Sequence, residues 1–253
     1  MSGHSKWAGI KHKKAITDAK RGAVFTKMAR EIAVAAKEGG GGDPSGNFRL
    51  RLAIQRARDV NMPADNIDRA IKRGTGEGGG VHYEELRYEG YGPGGVAIMV
   101  DALTDNRNRT ASEIRNIFTR FGGSIAEPGA VGWIFKRRGS IVVDPVGKDA
   151  EEFALETIEL GASDVQVDDG QLEVETEPED LETVRDGIEA QGGRIVSAEV
   201  TMSPSTTVPV EDEGEATKLL RLMEALEDSD DAQQVYANFD IDAAQLEKLS
   251  EAV

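Results

Sequence analysis

The sequence predicts a multidomain α+β protein, in which an N-terminal three-helix domain is followed by two ferredoxin-like α+β domains, one inserted in the other. Three observations support this class. Apolar residues recur at helical spacing up to about residue 74 and then alternate along short segments. The order of the elements predicted between residues 140 and 202 is βαββαβ. With 253 residues, the chain is long enough for two or three small domains.

Three amphipathic helices are predicted in the N-terminal part of the chain. Residues 17–38 carry one apolar stripe at three- and four-residue spacing, and the glycines at 39–42 end that helix. Residues 45–60 form the second helix. The third helix covers 63–74 and begins with a proline, which suits a first helical turn. Helices of this length with one apolar face each are typical of a small bundle.

The second of these helices carries four arginines. Arg49 and Arg56 lie two turns apart on one flank of the apolar face. Arg51 and Arg58 lie on the other flank, about 200° away at 100° per residue. The bundle is therefore expected to have a basic exterior.

The glycine-rich segment 74–80 is interpreted as a linker. Phosphate-binding glycine loops follow a strand and open a helix, whereas this segment follows a predicted helix and precedes a predicted strand. A hairpin is predicted next, from strands at 85–89 and 96–102 joined by the turn GYGPGG. A helix at 110–121 and a strand at 131–135 follow.

A complete βαββαβ order occupies the next part of the chain. Its predicted elements are a strand at 141–144, a helix at 150–160, strands at 163–167 and 171–176, a helix at 178–191 and a strand at 194–202. The ββαβ segment before it lacks one helix and one strand, which a helix at 213–226 and a strand at 234–239 supply. We therefore predict three domains: a basic helical domain at 1–80, a discontinuous α+β domain at 81–138 plus 203–253, and an inserted βαββαβ domain at 139–202.

Composition indicates a globular protein without a membrane partner. Hydrophobic residues make up 39% of the chain and charged residues 30%. No run of about 18 apolar residues occurs, and no signal-peptide apolar region follows the basic N-terminus. The sequence contains no cysteine, which fits a reducing compartment. A cytoplasmic location is expected.

Charge is distributed unevenly along the chain. The formal net charge is −16 at pH 7. Residues 1–73 contain 16 Lys or Arg and 7 Asp or Glu, a net charge of +9, whereas residues 144–253 contain 6 and 31, a net charge of −25. This asymmetry indicates that the first part is attracted to polyanions and that the last part is repelled by them.

Groups for catalysis or metal binding are few. The histidines are His4, His12 and His82, and the first two are interspersed among lysines, which disfavour a metal cation. The acidic run at 228–233 lacks the glycine and the distal glutamate of a calcium loop. No serine lies in a nucleophile-elbow context. We expect no enzyme activity, no catalytic residue, no metal and no cofactor.

Nucleic-acid binding is better supported, because clustered cations bind phosphates with little regard to sequence. The candidate nucleic-acid-binding residues are Lys6, Trp7, Lys11, Lys13, Lys14, Lys20, Arg21, Lys27, Arg30, Arg49, Arg51, Arg56, Arg58, Arg107 and Arg109. Trp7 offers an aromatic face on which an unpaired base can stack. Trp7 packing the N-terminal arm onto the bundle is an equal alternative. The basic segment 136–138 and the loop that contains Arg107 and Arg109 can also be ordinary solvated turns.

Several long motifs resemble those of the YebC family, whose members are named probable transcriptional regulators in bacteria and include a mitochondrial translational activator of a cytochrome oxidase subunit. The motifs are GHSKWAGIKHKKA at 3–15, GGDPSGNFRLRLAIQRA at 41–57, MPADNIDRAIKRG at 62–74, YEGYGPGGVAIMV at 88–100, LTDNRNRT at 103–110 and GAVGWIF at 129–135. The resemblance covers nearly the whole chain. It implies a helical domain, two α+β domains and no catalysis.

Two roles remain open at this point. The family resemblance implies either a DNA-binding transcriptional regulator or a ribosome-associated factor that relieves stalling, for instance at proline-rich stretches. A regulator that reads base edges needs suitable side chains on a helix, and besides arginines the second helix offers Gln55. A ribosomal factor needs shape and phosphate recognition. The expected partner is thus DNA or ribosomal or transfer RNA, and the acidic C-terminal third is expected either to contact basic ribosomal proteins or to act as a solubilising counterweight.

Overall fold

The computed structural model describes residues 18–39, 41–76, 83–168 and 170–250. By spatial clustering the chain forms two compact units. The smaller unit contains residues 133–207, and the larger unit contains the described residues before and after that segment. The predicted mixed α+β class is confirmed.

The helices and strands follow one another in this order: α1 (Asp18–Glu38), α2 (Phe48–Asp59), α3 (Ala64–Gly74), β1 (Glu84–Tyr91), β2 (Ala97–Thr104), α4 (Arg107–Arg120), β3 (Ser124–Ala126), β4 (Phe135–Asp144), α5 (Ala150–Glu159), β5 (Asp164–Asp168), β6 (Gln171–Thr176), α6 (Leu181–Ala190), β7 (Arg194–Pro204), β8 (Val208–Pro209), α7 (Glu213–Asp228), β9 (Ala232–Ala237), β10 (Phe239–Asp240) and α8 (Ala243–Ser250). Two short 3-10 helices occupy Pro93–Gly95 and Gly132–Ile134.

Helices α1, α2 and α3 pack around one apolar core. Ile32 of α1, Leu50 and Ala53 of α2, and Ile67 of α3 are all buried in it. The last residue of α3, Gly74, lies so close to α1 that a Cβ atom there would collide with the carbonyl of Ala33. Glycine at this position therefore allows the close approach of α1 and α3.

A four-stranded antiparallel sheet forms the other part of the larger unit, with the strand order β3-β1-β2-β9. Strand β9 pairs with β2, although the two strands are far apart in the sequence. Thr104, at the end of β2, and Asp231, just before β9, are 127 residues apart. Phe118 of α4 and Leu219, Leu222 and Met223 of α7 are buried in the core of this sheet. The strands β8 and β10 pair in parallel beside it.

The predicted strand at 131–135 is wrong. Residues Gly132–Ile134 form a 3-10 helix, and β4 begins only at Phe135. The buried carboxylate of Glu89 accepts hydrogen bonds from the N–H groups of Gly129, Val131 and Gly132. Because these donors bond to a side chain, they are not available to a strand ladder. Strand β3, with three residues, was not predicted.

Arg107 and Arg109 do not lie in a loop, because α4 begins at Arg107 and not at Thr110. Asn106 is the N-cap residue, and its side chain accepts the N–H of Arg109 at 3.1 Å. Thr110 is buried and donates its hydroxyl to Asp231 at 2.7 Å instead of capping the helix.

The smaller unit is a four-stranded antiparallel sheet with the order β5-β6-β4-β7. Its helices α5 and α6 contribute Phe153, Val184 and Ile188 to a core shared with Ile141 and Leu172 of the strands. In β6 the buried residues alternate with less buried ones, as expected for a sheet with one face in the core.

Candidate nucleic-acid interface

Helix α2 is fixed in place by Asn47, which precedes it. The Asn47 Oδ1 atom accepts the N–H of Leu50 at 3.0 Å, which caps the helix. Its Nδ2 atom donates to the carbonyls of Ala35 and Gly41, at 2.8 and 2.9 Å. Through these three bonds, this one side chain joins the end of α1 to the start of α2. Asn47 is only 2% exposed, so water does not compete for them.

One flank of α2 is engaged in ion pairs. Arg49 pairs with Glu38 at 2.9 Å and also with Glu85 on β1. Arg56 pairs with Glu31 of α1 at 2.9 Å. These two predicted phosphate ligands are therefore already neutralised by carboxylates of the protein.

The opposite flank of α2 is open to solvent. Arg51 donates to the carbonyls of Pro44 and Ser45, at 3.0 and 3.4 Å. These acceptors are neutral, so the charge of Arg51 is not compensated by them. Arg58 is exposed and forms no ion pair with a described residue. Of the four arginines predicted on this helix, Arg51 and Arg58 are thus the two that present positive charge outward.

Two cations of α1 bind the C-terminal end of α7 and the residues that follow it. The ammonium of Lys27 donates to the carbonyl of Glu227. Arg30 donates to the carbonyl of Asp230 at 2.6 Å and to the carboxylate of Asp231 at 2.8 Å. Cations are favourable at a helix C-terminus, where carbonyl groups lack partners. Both contacts join α1 to the end of α7 and the residues that lead from it into β9.

Asp231 is a buried centre of charge that sequence analysis missed. Its side chain is 2% exposed and accepts from Arg109 at 2.8 Å in addition to Arg30. The hydroxyls of Thr104 and Thr110 also donate to it. Burial raises the pKa of Asp231, but the bonds from Arg109 and Thr110 and the charge of Arg30 outweigh burial, so the pKa lies below its ordinary value. Arg109 thus has a structural partner, and Asp105 pairs with it as well.

The remaining predicted residues are placed as follows. Arg107 is exposed and forms no ion pair with a described residue. Lys20 and Arg21 belong to the first turns of α1. Lys6, Trp7, Lys11, Lys13 and Lys14 lie outside the described residues.

A cleft of about 450 Å³ lies between α1, α2 and the sheet. Its charged lining is paired, since Arg49 contacts Glu85, Arg56 contacts Glu31, and Arg87 binds Asp101 through two bonds of 2.7 and 3.0 Å. Such a compensated lining does not favour an anionic ligand.

The smaller unit is acidic. Residues 133–207 contain 6 Lys or Arg and 18 Asp or Glu, a net charge of −12. On β6, Glu173 and Glu175 alternate with the core residues Leu172 and Val174 and so lie on the opposite face of the sheet. A surface of this sign repels a polyanion.

The described part of the chain holds neither a cluster of metal ligands nor a membrane-spanning helix. No group of three or more His, Cys, Asp or Glu residues there is arranged to hold a metal ion. No helix within those ranges is long and apolar enough to cross a membrane.

Sequence reasoning missed three residues that shape this region. Glu89 folds the loop before β4, Asp231 joins α1 to α4, and Phe48 presents an aromatic ring that is 55% exposed. Phe48 lies inside a basic helix, and an aromatic beside arginines is the signal that would have identified it. For Asp231 the sequence carries no such signal, because its partners are more than 100 residues away.

Two family models match the chain. The model of the TACO1/YebC protein N-terminal domain matches residues 5–77, and the model of the TACO1/YebC second and third domain matches residues 83–239. Together they cover most of the sequence, including α1 to α3 and both sheets.

Similar proteins match over nearly their full length. A probable transcriptional regulatory protein of Natranaerobius thermophilus is 58% identical over 250 residues, which cover 98% of this chain and 99% of the relative. One of the same description from Dictyoglomus turgidum is 55% identical and is covered completely. The crystal structure of a conserved hypothetical protein from Aquifex aeolicus superposes with a TM-score of 0.78 at 48% identity, covering 89% of this chain and 92% of that chain. On this evidence the chain belongs to the TACO1/YebC family.

Proposed function

We propose that this protein is a non-enzymatic regulator of gene expression that binds nucleic acid through its basic N-terminal domain. The observation that carries the proposal is the separation of charge: residues 1–73 have a net charge of +9, whereas residues 133–207 have a net charge of −12. Phosphate contacts dominate the affinity of most nucleic-acid-binding proteins. The names of the relatives, which are probable transcriptional regulatory proteins, support a regulatory role with DNA as the partner.

A second candidate function is a ribosome-associated translation factor that acts on structured RNA. One observation favours it. Gln55, the amide side chain on the exposed part of α2, donates to Asp59 at 2.9 Å and is therefore engaged within the helix. A helix that offers arginines without free amide side chains suits recognition of backbone and shape better than reading of base edges. In this reading the acidic third contacts basic ribosomal proteins.

We also propose that the two sheets belong to ferredoxin-like domains, with boundaries at 81–138 plus 203–253 and at 139–202. The strand order β5-β6-β4-β7 and the βαββαβ sequence of the smaller unit support this assignment.

The test offers duplex promoter DNA and purified ribosomes to the same full-length protein at matched physiological salt. With about six phosphate contacts, the logarithm of the affinity should fall against the logarithm of salt concentration with a slope of roughly −4 to −5.5. Retention of the promoter fragment in excess competitor DNA supports the transcriptional role. Preferential co-sedimentation with ribosomes supports the translational one. A flat salt response for both partners contradicts the proposal.

A further inference from the structure

We propose that the exposed flank of α2 is a binding surface for nucleic acid with unpaired bases, on which Phe48 stacks a base while Arg51 and Arg58 hold the flanking phosphates. The inference rests on the proposed function and narrows it, because it names one surface and one ligand class. This surface, the Phe48 flank, consists of Phe48, Arg51, Gln55 and Arg58.

The four residues lie on one stripe of the helix. At 100° per residue, positions 48, 51, 55 and 58 fall within about 80° of one another. All four are exposed, whereas the opposite side of α2 carries the buried Leu50, Ala53, Ile54 and Ala57. The stripe therefore faces away from the bundle core.

Phe48 places an aromatic ring on this stripe. Burial of a phenylalanine ring stabilises a folded protein, yet this ring remains 55% exposed. The guanidinium of Arg51 lies 5.4 Å from the ring centroid, and two carbonyls hold it there. An aromatic ring with an arginine beside it is the combination that single-strand-binding surfaces use, because each base has a π face and each nucleotide a phosphate.

The turn before α2 makes this surface rigid. The N–H of Ser45 donates to the Asp43 carboxylate at 2.9 Å, and Arg51 binds the carbonyl of Ser45 in the same turn. Asn47 ties the helix start to α1. Rigid elements lose little entropy when a ligand binds.

The two flanks of α2 differ in whether their arginines are free to bind phosphate. Arg49 and Arg56 pair with Glu38, Glu85 and Glu31, so a phosphate there would have to displace a carboxylate. Arg51 and Arg58 pair with no described carboxylate. Asp59 is the acidic residue at the far end of the stripe, and it accepts from Gln55. The phosphate-binding cations are therefore assigned to the Phe48 flank.

The experiment measures binding of the full-length protein to two labelled probes, a single-stranded 12-nucleotide RNA and a duplex RNA of equal length, by fluorescence anisotropy over a range of salt concentrations. Phe48→Ala is expected to weaken single-strand binding about tenfold and to leave duplex binding unchanged, because stacking requires an unpaired base. Phe48→Trp is expected to keep the single-strand affinity. Arg58→Gln is expected to weaken both probes and to reduce the salt slope by about one.

Two matched controls lie elsewhere on the molecule. Leu155→Ala truncates another exposed apolar side chain, and Arg221→Gln removes an exposed cation of α7. Neither is expected to change single-strand affinity. If Phe48→Ala leaves the single-strand affinity unchanged, or weakens both probes equally, the stacking assignment is wrong while the proposed function stands. If the unmodified protein binds neither probe, nor DNA, in a salt-dependent way, both fail.

Discussion

At the scale of single residues, Asp231 is important for stability, because its carboxylate neutralises two arginines from different helices. Asp231→Asn removes the charge between Arg30 and Arg109 while it keeps the shape. Loss of one partner of a buried ion pair costs about 3–5 kcal/mol. Since both arginines can regain part of their hydration, we expect the free energy of unfolding to fall by about 2–3 kcal/mol, measured by urea denaturation with circular dichroism at pH 7.

Asp105→Asn is the matched control for that variant. It removes a carboxylate that binds the same guanidinium, but this pair is about half exposed on both sides. Exposed pairs contribute roughly 0.2–1 kcal/mol. Equal losses of stability in the two variants would show that burial of Asp231 does not matter.

Glu89 makes stability depend on pH. Burial raises the pKa of Glu89, but the N–H groups of Gly129, Val131 and Gly132 lower it further than burial raises it, so the pKa of the folded protein is below its ordinary value. The resulting stabilisation is fully present above the pKa of the unfolded chain, about 4.3, and is lost as the pH falls through the lower folded pKa. We therefore expect the stability difference between the unmodified protein and Glu89→Gln to be largest near neutrality and to shrink below about pH 4.3.

Acid-induced unfolding of both proteins, followed by circular dichroism, checks this expectation. Glu127→Gln serves as the control, because Glu127 is an exposed carboxylate at the start of the same loop. A stability difference for Glu89→Gln that stays constant from pH 7 to pH 3 would contradict the assigned role.

At the scale of elements, the start of α2 depends on three bonds of one side chain. Asn47→Ala removes a helix cap, which is worth about 1 kcal/mol. It also takes one donor from the carbonyl of Gly41 and one from the carbonyl of Ala35, which keeps the N–H of Gly39. Buried groups that lose a partner cost about 1–3 kcal/mol. We expect a total loss of about 2–3 kcal/mol in thermal or urea unfolding.

Two further variants separate these contributions. Asn106→Ala removes the exposed cap of α4 alone and should cost about 1 kcal/mol. Asn47→Asp retains the capping oxygen but places a carboxylate against two carbonyls, so it should be at least as damaging as Asn47→Ala. A stable Asn47→Asp variant would mean that only the cap matters.

The elements also show how far sequence reasoning reaches. Helices predicted at 45–60 and 63–74 lie at Phe48–Asp59 and Ala64–Gly74, because apolar periodicity and the short turn between them are local signals. The strand expected at 131–135 fails because Glu89, about 40 residues earlier, takes the N–H groups that a strand would use. The four arginines of α2 were placed correctly on two flanks, but their carboxylate partners come from α1 and β1 and are not visible in a helical pattern.

At the scale of the whole molecule, the opposite charges of its parts should affect two partners in opposite directions. Glu159, Glu189 and Glu199 of the smaller unit are exposed and form no ion pair with a described residue. Changing all three to Gln moves the net charge of residues 133–207 from −12 to −9, because three negative charges are removed. The long-range repulsion of a polyanion should then decrease.

For duplex DNA we expect the triple variant to bind up to about threefold more tightly at 0.05 M salt and equally well at 0.3 M salt. The reason is screening: the Debye length is about 10 Å at 0.1 M salt and becomes shorter as the salt concentration rises. For ribosomes we expect weaker co-sedimentation, because the acidic third is proposed to contact basic ribosomal proteins. The double variant Arg51→Gln and Arg58→Gln is the contrast: it should weaken both partners and lower the salt slope by about two. If the triple variant strengthens ribosome binding as much as DNA binding, the acidic unit acts only as a counterweight to the basic domain, and the ribosomal-protein contact is refuted.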